Sequence, residues 1–162
     1  MTENQPPASA PTPEAAPKGR PPNVDQLEAR LGTQMVAWNA IRETVVAIGA
    51  TWRWVHSDAT GSWSYRSYLS GDRFFAALSL TDAGFEVSLN MKAEEWPGIT
   101  AEGPDESALL ERLQSAALAT GQDPAWVHVP ISDGPALALL TKILVVRARR
   151  VQKPRLKHKK KR

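Results

Sequence analysis

The 162-residue chain contains no cysteine. Disulfides, thiolate metal sites and thiol nucleophiles are excluded together, which accords with a reducing compartment. Long apolar runs are also missing. The longest, Ala136 to Val146, is broken by Thr141 and Lys142. It falls far short of the roughly 20 residues that span a bilayer. The first twenty residues carry no apolar core of a secretion signal. Phosphate-cradling glycine loops and the G-x-S-x-G nucleophile turn are likewise absent. These absences point to a soluble cytoplasmic protein with no cofactor and no catalytic or metal-binding motif.

Charge is present but unevenly placed. The formal net charge is +3, yet residues 24–146 hold eight Lys or Arg against fifteen Asp or Glu, a balance of −7. Residues 147–162 hold ten cations and no acid. The cations are Arg147, Arg149, Arg150, Lys153, Arg155, Lys157, Lys159, Lys160, Lys161 and Arg162. So dense a run repels itself and suits non-specific contact with a phosphate backbone, as in DNA, RNA or a ribosome. Three other readings compete: a merely solvated tail, a tail lying on the acidic body, and a membrane-surface anchor. The last is disfavoured because the apolar helix before the tail is needed to cover the sheet.

Residues 1–22 contain seven prolines and no aromatic, Ile, Leu or Val residue. Such a segment buries too little apolar area to offset the entropy of ordering. It reads as a disordered, partly polyproline-II leader serving as a linker. It lacks a PxxP core.

Between the two ends the periodicity is that of one α+β domain, residues 23–147, with 148–162 as a disordered tail. Asn23 and Gln26 have capping-box spacing, and Leu27 and Leu31 lie one turn apart. Gly32 breaks that helix and Thr33 is placed to cap a second. The second carries Trp38, Ile41, Val45 and Ile48 on one stripe and ends at Gly49. From Thr51 the period becomes two. Trp52, Trp54 and His56 alternate, as do Trp63, Tyr65, Ser67 and Leu69. Phe74, Ala76, Leu78 and Leu80 follow, then Phe85, Val87, Leu89 and Met91. Gly71-Asp72 suits a two-residue hairpin loop. Asp105 is placed to cap a helix through Ala117, and Trp126 to Ile131 is a fifth strand. Ser132 or Asp133 is placed to cap a last apolar helix. The predicted order is α-α-β-β-β-β-α-β-α, an antiparallel four- to five-stranded meander with helices on one face.

Trp52, Trp54, Trp63, Tyr65 and Tyr68 cluster on the first hairpin. They would form a stacking platform for bases or a flat ligand, or would simply pack the sheet, the commoner role of strand aromatics. Tyr68 opposes Tyr65 in alternation, so one aromatic should face away from the core. His56 and His128 lack metal-ligand spacing. Adjacent Glu94 and Glu95 would not face each other on a helix.

The run Gly61, Trp63, Tyr65, Arg66, Tyr68, Leu69, then Asp72, Arg73, Phe74, Phe75, then Gly84, Phe85, Val87, Leu89 resembles an uncharacterised bacterial domain-of-unknown-function family, DUF3788. Trp126 to Val129 and Leu137 to Arg147 complete the resemblance, which covers about residues 35–149. It implies a small α+β domain without established activity and brings no catalytic residues. Two functions remain in contention. One is a non-enzymatic binding protein whose tail contacts nucleic acid. The other is a small-ligand or protein-binding domain whose tail is only solubilising.

Overall fold

A computed structural model describes residues 20–70, 72–131 and 134–151. The elements are α1 (Val24–Leu31), α2 (Met35–Ile48), β1 (Thr51–Ser57), β2 (Ser62–Leu69), β3 (Arg73–Thr81), β4 (Gly84–Met91), α3 (Gly103–Ala119), β5 (Ala125–Ile131) and α4 (Gly134–Val151). The strands form one antiparallel sheet in the order β1-β2-β3-β4-β5. This is the predicted α+β order.

The local reasons are the expected ones at most joints. Asn23 Oδ1 accepts from the Gln26 N–H at 2.8 Å and Gln26 Oε1 accepts from the Asn23 N–H at 2.9 Å, a complete capping box on α1. Gly49 ends α2 in the left-handed region. Three boundaries differ. Thr33 does not cap α2: Gly32–Gln34 is a single 3-10 turn, and the Gln34 amide reaches Ala83 O and Ile131 O, each at 3.4 Å. Gly84 makes room for that side chain, since a Cβ there would stand 1.9 Å from Gln34 Oε1. Asp105 lies in the first turn of α3, which starts at Gly103 with Pro104 in its opening positions. The β2–β3 loop is three residues, 70–72, because Leu69 pairs with Arg73 and Ser70 itself takes the left-handed conformation, φ 52°.

All four helices contribute to one core against one face of the sheet. Trp38, Ile41 and Val45 of α2 are buried there, as are Leu139, Leu140, Ile143 and Leu144 of α4. Leu109, Leu113 and Ala117 bring α3 onto the same core beside β5. Helix α3 is clipped to α4 by Lys142, whose Nζ donates to Glu106 Oε1 at 2.7 Å and to Thr100 O at 2.9 Å. That hydrogen bond holds the Glu106 carboxyl below its ordinary value of 4.5 and raises Lys142 above 10.5.

The predicted tail boundary at residue 147 moves. Helix α4 continues to Val151, and Arg147, Ala148 and Val151 are all buried. Arg147 is 3 % exposed. Its Nε donates to Phe75 O at 2.6 Å, Nη2 to Phe74 O at 3.0 Å and Nη1 to Asn90 O at 2.8 Å. Burial, with Arg150 alongside, brings its pKa down to about 10, so it stays cationic at neutral pH. Arg150 donates to Glu95 Oε2 at 2.8 Å and to Asn90 O at 3.1 Å. Residues 1–19 and 152–162 lie outside the described residues, and with them the expectations of a disordered leader and a disordered tail.

Two of the carbonyls that Arg147 binds, those of Phe74 and Phe75, belong to a β-bulge. Ser67 pairs with Ala76 but Tyr68 pairs with Phe74, so Phe75 is the extra residue. The Ser67 hydroxyl fills the gap, donating to Ala76 O at 2.9 Å and accepting from the Ala76 N–H at 3.1 Å. The simple alternation that groups Phe74 with Ala76 and Leu78 therefore fails. Phe75 enters the core beside Ala76, and Phe74 turns to the opposite face.

Two measurements check this architecture. Trp38→Ala should destabilise the chain by about 3–5 kcal/mol in urea unfolding, the usual range for emptying a buried Trp site. The Glu106 contribution depends on pH with a definite sign. Its carboxyl is depressed, so on acidification the unfolded chain takes up the proton first. The stabilisation is complete above 4.5 and is lost as pH falls below it. On the alkaline side it is complete below 10.5, where the unfolded chain's Lys142 begins to lose its proton, and is lost as pH rises through the raised value in the fold. Glu106→Gln should therefore unfold more easily than the native chain at neutral pH, and the gap should close in acid.

Candidate binding faces of the sheet

Antiparallel register decides which side chains share a face. Trp52, Trp54 and His56 of β1 pair with Ser67, Tyr65 and Trp63 of β2, and this set faces the helices. Trp38 of α2 lies against it, with ring centroids 6.2 Å from Trp54 and 5.8 Å from Tyr65. Tyr65 stacks on Trp52 at 4.8 Å with the rings 5° from parallel. Trp52 Nε1 donates to Arg42 O at 3.1 Å, tying β1 to α2. Four of the five predicted platform residues, Trp52, Trp54, Trp63 and Tyr65, are thus on the core side. Only Tyr68 faces away, as its alternation with Tyr65 implies. The five do not make one platform.

The helix-side aromatics are not wholly enclosed. Where α1 diverges from the β1–β2 edge, a groove of about 510 Å³ opens over Trp38, Trp54 and Tyr65. Pro22, Glu28 and Arg42 stand on its walls. Burial raises the Tyr65 phenol above its ordinary value, and the Arg42 charge works against that rise.

The other face of the sheet has no helix on it among the described residues. Here Tyr68 meets two rings that the sequence reading left elsewhere. Phe74 lies edge-on to Tyr68 at 6.1 Å, and Trp126 of β5 lies 5.6 Å from Phe74. The Arg53 guanidinium sits 3.9 Å over the Tyr68 ring, and His128 is stacked on the far side of Trp126 at 6.4 Å. The rings come from β2, β3 and β5, with Arg53 of β1 at one end. Trp126 is 49 % exposed. Its outward position was available in the sequence, since Val127 and Val129 alternate with Trp126 and His128. Phe74 was hidden by the bulge. The charged side chains that this face takes from the strands are Arg53, Arg66 and Glu86, a small positive excess on an acidic body.

His128 anchors a polar cluster at the β5 end. Ser88 Oγ lies 2.8 Å from His128 Nδ1, and Glu86 Oε2 lies 3.6 Å from the same nitrogen. A serine-nucleophile relay needs the hydroxyl on one ring nitrogen and the carboxylate on the other. Here both meet one nitrogen on an open sheet, which is not that arrangement. His56 is on β1 at the opposite edge, 3.3 Å from Asp58 and edge-on to Trp63, and the two histidines do not meet. Glu94 is exposed, whereas Glu95 is buried and bound to Arg150. Among the described residues no cluster of His, Asp and Glu has metal-binding geometry, and no helix is long and apolar enough to cross a membrane.

The ten proposed phosphate contacts divide. Arg147 is committed to the bulge and Arg150 to Glu95, so neither is free to meet a phosphate. Arg149 is exposed on α4. Lys153, Arg155, Lys157, Lys159, Lys160, Lys161 and Arg162 lie outside the described residues. The described chain ends at Val151, whose carbonyl accepts from Arg73 Nη2, next to Phe74. Val151 thus stands at the end of the sheet that carries Tyr68, Phe74 and Trp126.

No family model, curated protein or solved structure matches the chain.

The two faces can be told apart by fluorescence. Trp38 and Trp96 are buried, Trp52, Trp54 and Trp63 are half-buried, and Trp126 is the exposed indole. Acrylamide should quench Trp126 most strongly, and Trp126→Phe should remove the largest quenchable share of the emission.

Proposed function

We propose that this chain is a non-enzymatic binding protein for single-stranded nucleic acid. The outer sheet face stacks bases and the basic C-terminal segment follows the phosphates. One observation carries the reading: Trp126, Phe74 and Tyr68 stand side by side on a face that no described helix covers, with Arg53 over one end. Aromatic rings on an open antiparallel sheet accept bases without reading sequence, because every base has a stackable face. A row of this length suits two or three bases.

Charge supports the same assignment. The body as a whole repels a polyanion, yet this face carries more arginine than acid. Arg149 and the seven cations beyond Val151 supply the long-range attraction, starting from the same end of the sheet. A cytoplasmic location among RNA or ribosomes goes with this role, and the DUF3788 resemblance, proposed over residues 35–149, implies no activity that would compete with it. The alternative, a ligand-binding domain with an incidental tail, rests on the helix-side groove.

Fluorescence anisotropy with a short labelled oligouridylate tests the proposal. Trp126→Ala should weaken binding by about 1–3 kcal/mol, the worth of one stacked base. If about six phosphates are engaged, log affinity should fall with log salt at a slope near −4. Replacing Lys153, Lys157, Lys159, Lys160 and Lys161 by Gln should flatten that slope while keeping the Trp126 effect. Unchanged binding by both Trp126→Ala and Tyr68→Ala would remove the sheet face from the reading. No binding at low salt would end it altogether.

A further inference from the structure

The helix-side groove has features that the nucleic-acid reading does not use. Its floor is three aromatic rings, with Trp38 inclined 18° to Tyr65 and 25° to Trp54, and Trp54 and Tyr65 tilted 42° to each other. Its donors are the Tyr65 hydroxyl, which makes no hydrogen bond within the described residues, and the Arg42 guanidinium, of which one N–H is used on Asn39 Oδ1 at 3.1 Å. Glu28 supplies one acid on the wall. Aromatic slots with hydrogen-bond donors, and little need for acceptors, are what a polyproline-II strand requires. Proline offers no N–H, and the carbonyls of such a strand are unpaired by any internal bond.

The chain itself supplies such a strand at the mouth of the groove. Pro22 is a wall residue, and the chain leading to it holds Pro6, Pro7, Pro11, Pro13, Pro17 and Pro21. Nineteen residues lie beyond the first described one, about 59 Å of polyproline-II strand at its usual rise. That length is ample for a return across the groove, and tethering holds the local concentration high, so even weak contacts would be occupied. Charge is complementary as well: Lys18 can meet Glu28, and Glu14 can meet Arg42.

We propose that residues 1–19 dock in this groove, with prolines seated against Trp54 and Tyr65, so that the proline-rich segment is an intrachain ligand and not a passive linker. The groove lies on the face of the sheet opposite Tyr68, Phe74 and Trp126, so this docking and the proposed nucleic-acid contact do not compete.

The absence of cysteine makes the test clean. Ser9→Cys in the full chain gives a single attachment point for a nitroxide label. In ¹⁵N NMR spectra the label should broaden the amides of Leu27, Met35, Trp54 and Tyr65 and the Trp54 indole, and leave the Trp126 and His128 signals sharp. Replacing Pro7, Pro11, Pro13 and Pro17 by Ala in the labelled chain should abolish the broadening, while the dispersion of the other signals shows the body still folded. Uniform broadening, or broadening centred on Trp126, would overturn the proposal. So would persistence after the proline replacements. Broadening that vanishes when labelled chain is diluted with unlabelled chain would place the segment in a second copy and overturn the intrachain form.

Discussion

The buried guanidinium of Arg147 is the interaction around which the rest is arranged. Desolvating a cation is expensive, and it is tolerated only when the donors are satisfied with good geometry. Here the planar fork of an arginine reaches two successive carbonyls of the bulge and one at the end of β4. Those carbonyls need it equally, because a bulge leaves backbone groups outside the ladder. The nearby charge is balanced one step away by Glu95, which holds Arg150 and also accepts from the Lys92 N–H at 2.7 Å. Lysine could not replace this arginine, since one ammonium cannot span three carbonyls in a plane.

The bulge that Arg147 supports is also what separates the two aromatic populations. Without the extra residue, Phe74 would stay on the same side as Ala76 and Leu78, and the core would have to hold both Phe74 and the α4 stripe. With it, Phe75 fills the core and Phe74 joins Tyr68 and Trp126 outside. A helix-to-sheet contact on one side thus creates the continuity of a ring row on the other. The proposed binding face is a product of core packing and not an independent decoration.

Much of this was legible in the chain. Binary alternation gave every strand its place in the meander, and the spacing of Trp38, Ile41 and Val45 marked the buried side of α2. The capping box at Asn23 and Gln26 was read correctly from two residues. What escaped was the bulge, because it is made with Ser67 and two phenylalanines and uses no glycine. One missing residue of register reversed the assignment of Phe74 and hid the ring row. Arg147 escaped because charge was read by density along the chain. Its periodicity was the better guide: Leu140, Leu144, Arg147 and Val151 follow a helical stripe, so the arginine was marked as inward-facing by position even while its type suggested solvent. The aromatic cluster on the first hairpin was seen as a group but not divided, since alternation assigns sides without saying which side the helices will cover.

The wide sequence separation of that same contact bears on how the chain acquires its shape during synthesis. Strands β1 to β4 pair only with their immediate neighbours, so their loops close over short distances and those hairpins are available early. The Arg147 to Phe75 bond joins residues 72 apart, and β5 can reach β4 only after α3 has been made. Until α4 emerges, the part of the inner face that Leu139, Leu140, Ile143 and Leu144 cover is bare and the two bulge carbonyls lack their arginine. Closure of that part of the core waits on α4, the last described element of the chain.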